Sequence, residues 1–97
     1  MAINVSLLTW TEQGIRTVNE FPQRRRAFMD LCEKKGVKIR EQLVTIGPHN
    51  MLVVLEGSEE ALGQVMISLQ KRGNVRSLSM RAMTPETFIN NILENVE

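Results

Sequence analysis

Near the middle of the chain, Gly47-Pro48-His49-Asn50 gathers four turn-forming residues between two strand-like runs, and this pattern constrains the fold more than any other. On one side, Val37 to Ile46 alternates loosely, with Val37, Ile39 and Leu43 set against Lys38, Arg40 and Gln42. On the other, Met51 to Glu56 is almost wholly apolar. Two such runs joined by a compact turn predict a β-hairpin, and everything else in the chain has to be arranged around it.

Outward from the hairpin, each strand meets a helix. Pro22 to Lys35 carries Phe28, Leu31 and Cys32 on one stripe. Lys34 and Lys35 suit its C-terminal end, and Gly36 is a left-handed stop. Pro22 fits the first turn, with Asn19 as the expected cap. After the hairpin, Ser58 is placed to cap a helix with Glu59 and Glu60 in its first turn. That helix has Ala61, Leu62, Val65, Met66 and Leu69 as its apolar stripe and Lys71, Arg72 and Gly73 at its end. Ile3 to Trp10 reads as the first strand and Val75 to Met83 as the last, with Thr11 to Gly14 a polar connection. Thr84-Pro85-Glu86 opens a C-terminal helix bearing Phe88, Ile89, Ile92, Leu93 and Val96.

The order β-α-β-β-α-β is the split βαβ pattern, an α+β ferredoxin-like sandwich, here with one additional helix. Right-handed crossovers put both main helices on one face of an antiparallel sheet whose middle strands are the first and third. Both middle strands are apolar on adjacent as well as alternate positions, so the face opposite the helices also needs cover. A second copy is the expected cover, giving a homodimer through the open sheet face. Pairing Ile46 with Met51 would put Gln42, Val44, Val53 and Leu55 on one face and Ile39, Leu43, Leu52 and Val54 on the other.

At 97 residues, positions 1–97 make one domain, and the 42% apolar content supports one modest core. Twelve basic against eleven acidic residues leave a formal charge of +1, with no overall pull toward nucleic acid or an anionic membrane. No basic, apolar leader opens the sequence, so the expected location is cytoplasmic. Cys32 is the single cysteine and fits a reducing compartment. An RNA-binding sheet of this topology would present aromatic residues on its middle strands, whereas this chain has no tyrosine and its three phenylalanines fall on helices.

Few residues offer chemistry. His49, the one histidine, is suited to proton transfer near neutral pH, but at a hairpin tip without an evident partner it reads as an exposed turn residue. One histidine and one distant cysteine do not make a metal site, and no glycine-rich phosphate loop exists, so no cofactor is expected. Arg24-Arg25-Arg26 fans over about 200° of a helix and reads as a solvated face rather than one anion clamp. The candidate binding set comes from strand alternation. If their faces coincide on the open side of the sheet, Ser6, Trp10, Gln42, Ser79 and Arg81 line a pocket for a small polar or aromatic ligand, with Arg81 pairing a carboxylate. Hydrogen bonding across a dimer interface explains the same residues equally well.

Three segments together resemble the GYD family: Leu8 to Arg16 after the first strand, Thr45 to Asn50 at the hairpin, and Gly73-Asn74-Val75-Arg76 leading to Arg81-Ala82. Where the family carries its Gly-Tyr-Asp-like signature, Gly47 is kept and His49 and Asn50 stand at the tyrosine and aspartate. The resemblance implies a ferredoxin-like domain similar to those that pair into dimeric α/β barrels, a group with both sensing modules and cofactor-free monooxygenases. Two functional expectations follow. The first is a non-enzymatic dimeric domain binding a small molecule or a protein partner. The second is a cofactor-free enzyme with His49 or Trp10 beside an apolar cavity.

Overall fold

The computed structural model describes residues Met1–Glu97. Its sheet has four antiparallel strands in the order β2-β3-β1-β4: β1 (Ala2–Trp10), β2 (Lys38–Val44), β3 (Met51–Gly57) and β4 (Val75–Ala82). Two long helices, α2 (Phe21–Lys35) and α3 (Glu59–Lys71), cover one face. A short α1 (Glu12–Arg16) follows β1, and Pro85–Asn95 forms a final helical segment of mixed pitch. This is the expected ferredoxin-like α+β order, with β1 and β3 in the middle.

The local signals behave as their chemistry requires. The Ser58 hydroxyl accepts the Ala61 N–H at 3.1 Å to cap α3, and Gly36 ends α2 with φ +71°. Asn19 does not cap α2; a 3₁₀ turn, Val18–Glu20, runs directly into it, so the chain enters the helix already coiled. The sequence reading also missed α1, since Gly14 in its interior argues against a helix. Thr11 supplies the compensation: its hydroxyl accepts the Gly14 N–H at 3.0 Å. Glycine is required there because a β-carbon would sit 1.9 Å from the Asn74 carbonyl oxygen, which itself accepts the Thr11 N–H at 3.0 Å.

The core lies between the sheet and the helix pair. Leu8, Val53, Leu55 and Val75 from the strands meet Phe28, Cys32, Leu62, Val65 and Met66 from α2 and α3. The hairpin register differs from the expectation: Val44, not Ile46, pairs with Met51, so Ile46 is fully exposed in the turn. A two-residue slip preserves side-chain parity, and Gln42 still shares a face with Val53. Ile39 changes face, because a bulge at Arg40 lets it pair with Leu55 and point toward the helices.

On the opposite face no element covers the sheet. Ile3, Val5, Leu7, Leu52 and Val54 stand half-buried by their neighbours alone, and Leu43, Leu78 and Met80 are each at least 50% exposed.

Two glycines give a paired stability test. Gly14→Ala should cost roughly 2–3 kcal/mol in urea unfolding, because the obstructing atom is backbone. Gly63→Ala, exposed in the interior of α3 with open space around it, should add about 0.5–1 kcal/mol.

Candidate functional site

The six candidate residues fall into three places. Side chains alternate along β1, and Leu8 points into the core, so Ser6 and Trp10 point to the helix side with it. Ser6 pairs across the sheet with Val53 and Ser79, and Val53 with Gln42, which sets all four in one cross-strand row on the helix face. Arg81, in register with Asn4, lies on that face too. The expectation that Ser6, Trp10, Gln42, Ser79 and Arg81 lie on the open face is therefore corrected. The open face holds Ile3, Val5, Leu7 and Thr9 instead. Both phases of β1 are apolar, so alternation alone did not decide between them.

Ser6 sits in the core because its hydroxyl is satisfied there. It shares a 2.8 Å hydrogen bond with the Ser79 hydroxyl, accepts from the Asn4 amide at 2.9 Å and lies 3.8 Å from the Met66 sulfur. Arg81 is taken by its own chain: its guanidinium pairs through two nitrogens with the carboxylate of Glu59, in the first turn of α3. That hydrogen-bonded pairing holds the Glu59 carboxyl below its ordinary range.

Trp10 and Gln42 do come together, in a cleft where α2 and α3 splay from the sheet. Its floor is Leu8, Met51, Val53 and Val75, and Phe21, Phe28 and Leu69 form its walls. Arg24, Arg25, Arg72, Gln42 and Asn74 give it a polar rim, with no acidic residue, histidine or lysine. Trp10 is the pivot. Phe21 meets it edge-to-face with ring centroids 5.8 Å apart, and the Arg24 guanidinium lies over its ring at 5.5 Å. Arg24 also donates to the Thr17 hydroxyl at 2.9 Å and the Gly14 carbonyl at 3.3 Å. Arg25 donates to the Gln42 amide oxygen at 3.1 Å. So Arg24 turns inward over Trp10, a departure from the solvated face that the sequence read for all three. Arg25 stays exposed between the cleft rim and the outer side of α2, and Arg26 lies on the outer side alone. The cavity is about 50 Å³, well under the roughly 150 Å³ that accepts a benzene ring.

His49 is at the hairpin. Its Nδ1 is 3.3 Å from the hydroxyl of Thr9, an open-face residue, and its carbonyl accepts from the Thr45 hydroxyl at 2.7 Å. The residue after it has the larger structural role. Asn50 donates its N–H to the Leu8 carbonyl at 2.7 Å, accepts the Thr45 N–H at 2.8 Å, and its side-chain oxygen accepts the Trp10 N–H at 2.9 Å. The hairpin is thereby tied to the end of β1, next to Trp10. Sequence reasoning undervalued Asn50, whose signal was its place in the signature rather than its reactivity. No three of His, Cys, Asp or Glu come together in a metal-ligating group, and no helix is long and apolar enough to cross a membrane.

Cys32, 1% exposed on the buried side of α2, is apart from these sites, and burial pushes its thiol from an ordinary value of 9.0 up to about 11.

With this geometry in view, the family model for the GYD domain matches residues 5–92. Among solved structures, the crystal structure of FFRP-DM1 is similar at TM-score 0.58 and 19% identity, over 86% of this chain and 100% of that one. A de novo designed protein, Ferredog-Diesel, is similar at TM-score 0.52 and 12% identity, over 82% of this chain and 84% of that one. At such identities these two likenesses concern the fold alone. No curated protein matches this chain.

Two outcomes test the site chemistry. Asn50→Asp should leave urea stability within about 0.5 kcal/mol, since a carboxylate accepts the Trp10 N–H as an amide oxygen does, while Asn50→Ala should cost about 1 kcal/mol. For Cys32, a raised folded-state pKa means stability that is complete below pH 9 and declines as pH rises from about 9 to about 11. Cys32→Ala should remove that component from the pH dependence of the urea midpoint.

Proposed function

Because this chain belongs to the GYD domain family, whose membership prescribes the fold and leaves the function to be argued from the surface, we propose that it works as a homodimeric binding module. Two copies join through their open sheet faces. The observation that carries this reading is the unpartnered apolar face: Leu7 and Leu52 at its centre, with Leu43, Leu78 and Met80 at least half exposed around them. A monomeric domain of this size rarely leaves so continuous an apolar surface in water.

A second element of the reading is supported by the helix-side cleft. Trp10 and Phe28 offer an apolar body, and Arg24, Arg25 and Arg72 offer positive charge unopposed by any acidic lining residue. A small planar anion, such as an aromatic carboxylate, suits that combination. At about 50 Å³ the cleft takes such a molecule only when the Arg25–Gln42 bridge swings open. The lining has no group that exchanges a proton near neutral pH, and His49 belongs to the hairpin, so binding is favoured over the cofactor-free enzyme.

Light scattering on the eluting chain should give twice the 11.1 kDa mass at micromolar concentration. Leu78→Lys, a change at an exposed position, should leave the fold intact and weaken pairing by about a hundredfold or more; a wild-type monomer would defeat the reading. For the cleft, an aromatic carboxylate at ten times its dissociation constant should stabilise the chain by about 1.4 kcal/mol in a thermal-shift screen. Arg72→Ala, at an exposed rim position, should remove that gain.

A further inference from the structure

The C-terminal segment is the least satisfied part of the molecule. Thr84 caps it through its hydroxyl and Pro85 opens it, but the helix then loosens to π pitch over Phe88–Ile92 and tightens to 3₁₀ over Leu93–Asn95. Phe88, Ile89, Ile92 and Leu93 are each 40–50% exposed, and none of them joins the core. The segment packs chiefly on itself. The molecule is correspondingly long, 51 Å in its greatest extent, with a radius of gyration of 15.0 Å where a compact chain of this length has about 12.5 Å. An apolar helical segment held away from its own core needs a surface elsewhere.

Resting on the pairing proposed above, we infer that this segment crosses to the second copy and docks on the outer side of its α2. Area is the first argument. Four strands about 4.8 Å apart, each some seven residues long at about 3.3 Å per residue, present a face of roughly 450 Å² in projection. A stable specific interface buries about 800 Å² of accessible surface on each partner, a demand that a flat face of this extent meets only with most of its side chains engaged. The crossing segment adds Phe88, Ile89, Ile92 and Leu93 to that buried surface.

Topology and charge select the landing place. The segment leaves β4, one edge of the sheet, while α2 packs over β2, the opposite edge, so within a single copy the two are kept apart. Facing sheets related by a two-fold axis along the strands bring β4 of one copy over β2 of the other. The outer side of α2 there presents a shallow groove lined by Phe21, Pro22, Met29, Arg25, Arg26 and Asp30, so two arginines outnumber one carboxylate. Residues 84–97 carry Glu86, Glu94 and Glu97 and no basic residue. An acidic segment with apolar side chains meets there a groove of net positive charge that also offers Phe21, Pro22 and Met29 as apolar contacts.

The experiment places the photoreactive amino acid p-benzoyl-phenylalanine at position 88 in full-length chain mixed from light and heavy isotopic preparations. In parallel, sedimentation equilibrium compares the full chain with one ending at Met83. The inference expects light–heavy cross-links that map to residues 21–30, and a dimer dissociation constant raised tenfold or more by the truncation. A full-length dimer whose cross-links stay within one chain, and whose affinity the truncation leaves unchanged, overturns the crossing and leaves the sheet pairing standing. A full-length monomer overturns both.

Discussion

A sheet has two faces, and the two long helices of this chain cover only one. Leu8, Val53 and Leu55 are sealed against α2 and α3, while Leu7, Leu52 and Val54, their neighbours on the same strands, are left on the other side. The interleaving is unavoidable: in strands apolar at successive positions, burying one set turns the other outward. That single constraint underlies the fold, the expected partner and the distribution of polar residues. Where the helix face does contain polar groups, they are consumed internally, Ser6 by Ser79 and Arg81 by Glu59.

The signature hairpin takes on a structural meaning in this frame. Asn50 bonds three backbone groups, at Leu8, Trp10 and Thr45, and thereby fixes the end of β1 against the turn. Trp10, the last residue of β1, is itself held by that anchor, and it carries the contacts with Phe21 and Arg24 on which the helix-side cleft is built. A residue with a side-chain oxygen at position 50 thus organises a site it does not line. An aspartate at position 50 would accept the same Trp10 N–H.

The order of elements was legible because each boundary has its own chemistry: the Ser58 cap, the Gly36 stop, the proline-led openings at Pro22 and Pro85. What was not legible involved contacts between distant segments. The phase of β1 was ambiguous because Ile3, Val5 and Leu7 are as apolar as Leu8, so Ser6 and Trp10 were assigned to the wrong face. The bulge at Arg40, which turns Ile39 inward, has no local marker. Helix α1 depends on the close approach of Asn74, sixty residues away from Gly14. The cleft was missed in the same way, because Arg24 and Arg25 acquire their meaning only from Trp10 and Gln42 on the strands beneath them.

The proposed pairing makes the uncovered face dry in the working form of the protein. Methyl NMR with a soluble paramagnetic probe reads this directly, using the methyls of Leu8, Leu55 and Val65 as the buried reference. At concentrations that favour pairing, Val5, Leu7, Leu52 and Leu78 should be shielded as fully as that reference, and they alone should lose protection on dilution. Strong probe broadening of those four at every concentration, with the reference methyls still protected, would contradict it.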